Sequence, residues 1–464
     1  MPITASLGSL SYTRVSLGNY DHWYMQTLNN VSFSSFTFDS AGAFYVLGLG
    51  SGLFQVTKFQ EISKFPYKVA TYDYTGSNPI PTGGTTTTTA IVPAAITYNS
   101  YSNNLMIAGS GSIRYFPTYP YNSVTAGISF QIGTDLSVYS NEQILDWGNE
   151  PTGYYRYHQA LSVDSSNGDL YFAGFATSSE TGGPYDFYIR KKIAIDSTDT
   201  NVATTVLNYP SGSYIANIVD VKLDASKNPV YCGIAQTTNT TGRRIVLRKA
   251  SQNPVLYDGY YYLPTTWERQ LTSTQTLQSA ALGIDSSSNI YLVANDTGSN
   301  IGYIIKYDTS GAIQWQRAIS NVKLLGINTD ASGNSYIIGN NTSNNLFIAK
   351  YNSSGTIQWQ NKLAGQTFTG NKIYNNGTDL YIMGNVSTNG FMFKVPNDGS
   401  IPGSGSYLIS GATLTYSNAT QTETAGTLTD AVETAQSNSQ APLINNINNN
   451  TTNGTLNNLV VGLV

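Results

Sequence analysis

The chain has 464 residues, of which only 11% are charged, with 23 basic against 27 acidic and a net charge of −4. That balance gives no electrostatic basis for binding nucleic acid, and no run of about 18 apolar residues is present to cross a membrane as a helix. Cys232 is the single cysteine, which excludes an intrachain disulfide and a cysteine-cluster zinc site.

Residues 1–30 begin without the basic region and apolar core of a Sec leader. Within them Asp21-His-Trp23-Tyr-Met-Gln-Thr-Leu28 has the pattern of a strand that recurs later with a tryptophan at its centre. A first unit, 31–75, carries Phe36-Thr-Phe-Asp39-Ser-Ala-Gly-Ala-Phe44, a hairpin with an Asp-led turn. The Thr/Gly/Pro-rich stretch from Thr75 through the threonine run ending at Thr89 is read as a long surface loop. Further units follow at 94–147, 157–208 and 214–271, with hairpins at Asn103–Gly109, Leu161–Gly174 and Val221–Tyr231 and tryptophans at Trp147 and Trp267.

The next two units, 276–319 and 321–364, say nearly the same thing twice. Tyr303-Ile-Ile-Lys-Tyr-Asp-Thr-Ser-Gly311 through Trp315 returns as Phe347-Ile-Ala-Lys-Tyr-Asn-Ser-Ser-Gly355 through Trp359, a step of 44 residues (359 − 315). Upstream, Asp285 and Tyr291 return as Asp330 and Tyr336, 45 residues on (330 − 285). Each unit reads strand, Asp-led turn, strand, polar loop, strand, Asx-Gly turn, Trp strand. Repeats of this length made of four strands stack radially, so the expected fold is an all-β, seven-bladed β-propeller. The last unit, 368–416, lacks a Trp strand after Gly399. The N-terminal strand around Trp23 is therefore expected to complete that blade and close the ring, leaving no free edge.

Three parts result: 1–30 with the closing strand, a propeller over 31–416, and an extended C-terminal tail over 417–464. No aromatic residue follows Tyr416 and no charge follows Glu433. Asp430-Ala-Val-Glu433 has a helix-start pattern, predicting a short helix at 429–438. The remainder, rich in asparagine, is read as an assembly segment that docks on neighbouring subunits.

Candidate chemistry is sparse. His22 and His158 stand apart from any Cys, Asp or Glu at metal-ligand spacing and are read as structural. Asp39, Asp164, Asp224, Asp285 and Asp330 recur once per blade, which marks them as turn makers, since a propeller has one active centre. Asp164–Asp169 is rich in oxygen ligands but lacks the glutamate that ends an EF-hand loop. Glu142, Glu150 and Glu268 stand in no motif, and the Asp308–Trp315 stretch departs in spacing from the Asp-box of sialidases. No cofactor, metal or catalytic role is expected. The aromatic clusters stand out instead: Tyr115, Tyr119 and Tyr121, then Tyr154, Tyr155 and Tyr157, then Tyr260, Tyr261 and Tyr262. They break the blade pattern and are read as loops. Two readings stay open: a binding surface for sugar rings, or packing between blades and subunits.

Asp330-Ala-Ser-Gly-Asn334-Ser-Tyr336 and Lys350-Tyr-Asn-Ser-Ser-Gly355-Thr-Ile-Gln-Trp359 resemble the repeats of seven-bladed propellers found in bacterial surface proteins, with Asn352 in place of Asp. Such repeats, joined to a Thr/Ala/Asn tail, resemble virion proteins of tailed phages, of the tail or fibre type. The resemblance implies a non-enzymatic, homo-oligomeric structural protein located in the virion. It would be anchored to other virion proteins by its tail and would present the propeller to a host-surface glycan. A tail-nozzle or capsid-surface protein, or a secreted carbohydrate-binding propeller, is the alternative.

Overall fold

The computed structural model describes residues 26–433, apart from 29, 51–52, 63–64, 75–76, 80–84, 116–122, 147–154, 178–184, 193–201, 208–214, 237–242, 258–259, 274–275, 297, 401–405, 410–411 and 427. Outside that span it places the strands Ile3–Leu7, Leu10–Arg14 and Asn450–Thr451. The described residues are strands, turns and bends, without a helix.

Seven antiparallel sheets stand around one axis. Blade one is Val31–Phe38, Phe44–Gly50, Leu53–Ile62 and Phe65–Tyr74; blade two is Thr85–Asn99, Asn104–Tyr115, Ser123–Gly133 and Val138–Asp146. Blade three is Tyr155–Val163, Leu170–Thr177, Tyr185–Lys192 and Val202–Leu207; blade four is Ile215–Leu223, Pro229–Gln236, Arg244–Ala250 and Thr265–Thr272. Blade five is Leu277–Ile284, Ile290–Asp296, Ile301–Tyr307 and Ile313–Ser320; blade six is Val322–Thr329, Ser335–Asn341, Leu346–Tyr351 and Ile357–Ala364. Blade seven is Phe368–Asn375, Asp379–Val386 and Asn389–Pro396, completed on its outer side by Gln26–Leu28. The expected closure by the N-terminal strand is thus present, although Trp23 itself lies outside the described residues.

The first strand of each blade lies nearest the axis and touches the first strands of both neighbours, blade seven meeting blade one. Alternate side chains of each inner sheet pack left and right, giving one apolar layer at every blade junction.

Polar joints explain the repeat. Trp315 donates from Nε1 to the Ser353 carbonyl of the next blade (3.1 Å) and covers Gly355, whose φ is 77°. A Cβ there would sit 2.6 Å from the indole. Trp267 treats Gly311 in the same way, and Trp359 covers Gly399. Tryptophan and glycine share a 44-residue step because each Trp strand rests on the turn one blade ahead. Nearer the axis, Asn295, on the second strand of blade five, takes both backbone groups of Leu324 in blade six, donating to its carbonyl (2.7 Å) and accepting from its N–H (2.6 Å). Asn385 makes the same double bond to Phe33 across the closure (2.7 and 3.0 Å).

Four expectations are corrected. Blade seven ends at Pro396; Ser406–Ile409 and Ala412–Asn418 instead extend blade six outward. Tyr416 there is buried, its hydroxyl accepting from Asn361 (2.9 Å). Residues 429–433 are a strand beside Thr265–Thr272 of blade four, because the open outer edge of that blade supplies hydrogen bonds that a one-turn helix cannot match; 434–438 lie outside the described residues. The threonine run Thr85–Thr89 is strand, paired with Ser77–Pro79 and Asn104–Tyr115, as β-branched side chains favour. Tyr115, Tyr155, Tyr157 and Tyr260–Tyr262 likewise lie in strands and not in loops.

After blade seven the chain runs backwards around the outside. It adds strands to blade six, then Glu423–Ala425 to blade five, then Thr429–Glu433 to blade four, and Asn450–Thr451 pairs with blade two. Up to Glu433 the tail therefore covers edges of its own propeller.

Candidate functional site

Every first strand runs toward the Asx turns, which define one face of the ring. Tyr115 ends a second strand and Tyr155 opens a first strand, so both lie toward the opposite face. Tyr157, close to Tyr155, is half-buried and stacked on Phe175 at 4.1 Å. Tyr119, Tyr121 and Tyr154 lie outside the described residues. Tyr260–Tyr262 form a hairpin with Val255–Tyr257 between the third and fourth strands of blade four, which places them on the Asx-turn side, against the outer strand of blade three. Tyr262 is half-buried. The described tyrosines of these clusters therefore occupy two faces and form no single site.

The Asx residues are bound into their turns. Asp285 accepts from Ser287 and Asn289 N–H groups at 3.0 and 2.9 Å, and its second oxygen takes the Asn289 side chain at 2.9 Å. Asp164 accepts from Ser166, and Asp169 pairs with Lys191 at 2.9 Å. Burial pushes the Asp164 carboxyl up, but the Ser166 bonds and Lys227 outweigh it and hold it below its usual value. His158 is buried, stacks on Phe172 at 5.0 Å and fills the space beside Gly127, where a Cβ would come within 2.7 Å of its ring. His22 lies outside the described residues.

What the fold does assemble is the axial channel. All seven first strands carry a β-bulge at the same height. The bulge bows each first strand over the second, where six blades have glycine (Gly48, Gly109, Gly174, Gly233, Gly339, Gly384) and blade five has Ala294. At Gly339 an added Cβ would lie 2.2 Å from the Lys323 carbonyl oxygen. The residue after the bulge lines the bore. It is Ser35, Ala95, Ala160, Ala281 and Gly326 in five blades, but Asp220 in blade four and Lys372 in blade seven. Two residues on, a second ring holds Thr37, Thr97, Ser162, Lys222, Gly283, Asn328 and Tyr374. From these rings to the Asx-turn face the channel encloses a cavity of about 490 Å³.

Its charges are few and unevenly matched. Asp220 is buried and accepts from the N–H groups of Val221 and, across the blade junction, Leu282, both at 2.9 Å. Lys222 approaches it at 3.9 Å and is 45% exposed along its side chain, so it faces the open bore. Lys372 reaches in from blade seven and, among the described residues, makes no hydrogen bond and no ion pair within 4 Å. Enclosure lowers its pKa from the usual lysine value; Asp220 opposes this and Lys222 adds to it. At the mouth, Tyr374 is 37% exposed, stacked on Phe38 (4.7 Å) and edge-on to Phe36 (6.5 Å). Asp224 is neutralised by Lys249 at 2.6 Å, and Asp164 lies 3.3 Å from Lys227.

The sign of the lysine's effect on stability is fixed. Its folded pKa lies below its unfolded value of 10.5, so folding expels a proton between the two values and stability rises with pH there. The cost of enclosing the ammonium is fully present below the folded pKa and fades as pH rises from there toward 10.5. Lys372→Met is therefore expected to raise the melting temperature at pH 7 by roughly 2 °C, with the gain shrinking as pH approaches 10.5. Differential scanning calorimetry at pH 7, 9 and 10.5 measures it.

Sequence reading passed over this site. Its signals were a lysine and an aspartate at repeat positions otherwise occupied by Ser, Ala or Gly, and the glycine that ends the second-strand motif in blade after blade.

Fold and channel together define a seven-bladed β-propeller. The chain matches no protein-family model and no curated protein sequence. Among solved structures it is similar to the Dos1 propeller (TM-score 0.44, 9% identity, covering 81% of this chain and 95% of that one). It is also similar to virginiamycin B lyase from Staphylococcus aureus (TM-score 0.43, 12% identity, 80% and 99%). A third is the GH93 alpha-L-arabinofuranosidase of Fusarium graminearum (TM-score 0.32, 9% identity, 67% and 88%).

Proposed function

We propose that this propeller is a non-enzymatic structural protein of a tailed-phage virion, a tail or fibre component that presents aromatic surface to a host-surface glycan. The observation that carries the non-enzymatic part is the commitment of the Asx residues at the channel mouth. Their oxygens are held by their own turns or by lysines, so they are not free to converge on a substrate as paired acids. The tyrosines at 115–121 and 154–157 supply the recognition surface, with flat faces suited to sugar rings. The low charge and the asparagine-rich tail support placement on a particle, where residues beyond Glu433, other than the Asn450–Thr451 strand on blade two, contact other copies or other virion proteins.

Two measurements test this. Mass photometry should show a defined oligomer for the full chain and a stable monomer for a chain ending at Glu433, which keeps the strands laced over blades six, five and four. Binding to purified host polysaccharide should weaken about tenfold when Tyr155 and Tyr157 are both replaced by alanine, a loss of about 1.4 kcal/mol. Monomers in both cases remove the assembly role. Unchanged polysaccharide binding in the double variant removes these tyrosines from recognition.

A further inference from the structure

We propose that the axial channel is a binding site for a carboxylate-bearing sugar, its carboxylate held by Lys372 and Lys222 and its ring placed against Tyr374 and Phe36. This site is separate from the surface tyrosines and does not depend on the reading above.

The argument starts from the small ring. Serine, alanine and glycine after the bulge in five blades leave the bore open at the height where Lys372 and Asp220 reach in from blades that lie nearly opposite each other. Several lysines at the blade junctions hold a carbonyl of the neighbouring blade. Lys58, Lys191 and Lys306 each donate to a carbonyl of the next blade, at 2.7, 3.1 and 3.0 Å. Lys372 has none among the described residues. Asp220 does not neutralise both ammonium groups, since its two oxygens already accept from Val221 and Leu282 and its contact to Lys222 is long. The bore therefore holds two cations against one committed carboxylate, an excess suited to a single negative charge.

The rest of the lining selects a sugar. Thr37, Thr97, Ser162 and Asn328 ring the cavity; Thr37 and Asn328 already accept from the Tyr98 and Asn375 N–H groups, which leaves their own donors for sugar hydroxyls. Tyr374 stands at the mouth with Phe36 and Phe38 beside it, an aromatic wall on one side only. A cavity of about 490 Å³ falls within the range of small-molecule sites and is ample for one acidic monosaccharide. The titratable groups that face Lys372 are Asp220, Lys222 and Cys232, all on blade four. Anion binding favours the protonated lysine, so affinity should fall as pH rises through the lysine's lowered pKa.

Isothermal titration calorimetry with glucuronate, glucose and acetate tests the site. Glucuronate is expected to bind in the millimolar range or tighter, with glucose and acetate at least tenfold weaker. Lys372→Met and Tyr374→Ala should each weaken glucuronate about tenfold, and Lys222→Met severalfold. Circular dichroism confirms that each variant is folded, and Lys222, on the open bore, can be replaced without disturbing the blade packing. No glucuronate binding, or binding unchanged in Lys372→Met, overturns the proposal. Glucose binding equally well removes the role of charge, and acetate binding equally well removes the sugar; either overturns it too. The Tyr155/Tyr157 double variant should bind glucuronate normally, which separates this site from the polysaccharide-binding surface.

Discussion

Removal of residues 1–29 is expected to lower the melting temperature by on the order of 10 °C and to add self-association through the opened edge. In the intact ring Gln26–Leu28 pairs with Gly390–Met392, giving blade seven its outer strand. Without it, Asn389–Pro396 becomes an edge with a row of unpaired backbone groups, a template for another chain. What then holds blades seven and one together includes their apolar layer, the Asn385 bonds to Phe33, and Glu61 of blade one, which accepts from Lys394 and Tyr381 of blade seven. Calorimetry with size-exclusion chromatography checks this. A truncated chain that melts at the same temperature and elutes as before would mean that the inner joint alone closes the ring.

The second large effect is expected at that kind of joint. Asn295→Leu should cost about 3 kcal/mol, read as a lower urea midpoint at unchanged slope. Asn295 is 3% exposed and satisfies both the N–H and the carbonyl of Leu324, a residue that is itself fully buried. Leucine is close in size, so the loss comes from two backbone groups left without partners in an apolar layer and not from a cavity. Asn385→Leu should behave alike at the closure. A change below about 0.5 kcal/mol would show that the bulged backbone finds other partners.

These joints show how far local sequence carries. The Asp-led turns were readable because their hydrogen bonds span two to four residues, as in Asp330 with Ser332 and Asn334. The tryptophan and glycine were readable as a repeat, though not as a contact, because the indole of Trp315 meets Gly355 only when two blades stand side by side. The helix expected at 429–438 followed from a local cap pattern; strand pairing with Thr265–Thr272, more than 150 residues earlier by the numbering, decided otherwise. The placement of Tyr416 in blade six and not seven is of the same kind.

By itself the sequence determined the all-β class, the blade repeat, the number of blades and the closure, since each rests on period-2 alternation, turn chemistry and a missing Trp strand. The tertiary structure alone decided where the last strands are laced, which face the described tyrosines occupy, and that Lys372 and Asp220 share one bore. The physical reason is that an edge or a channel belongs to no single segment. It exists only after seven sheets, each specified locally, have closed around an axis and brought residues from blades four and seven to the same height.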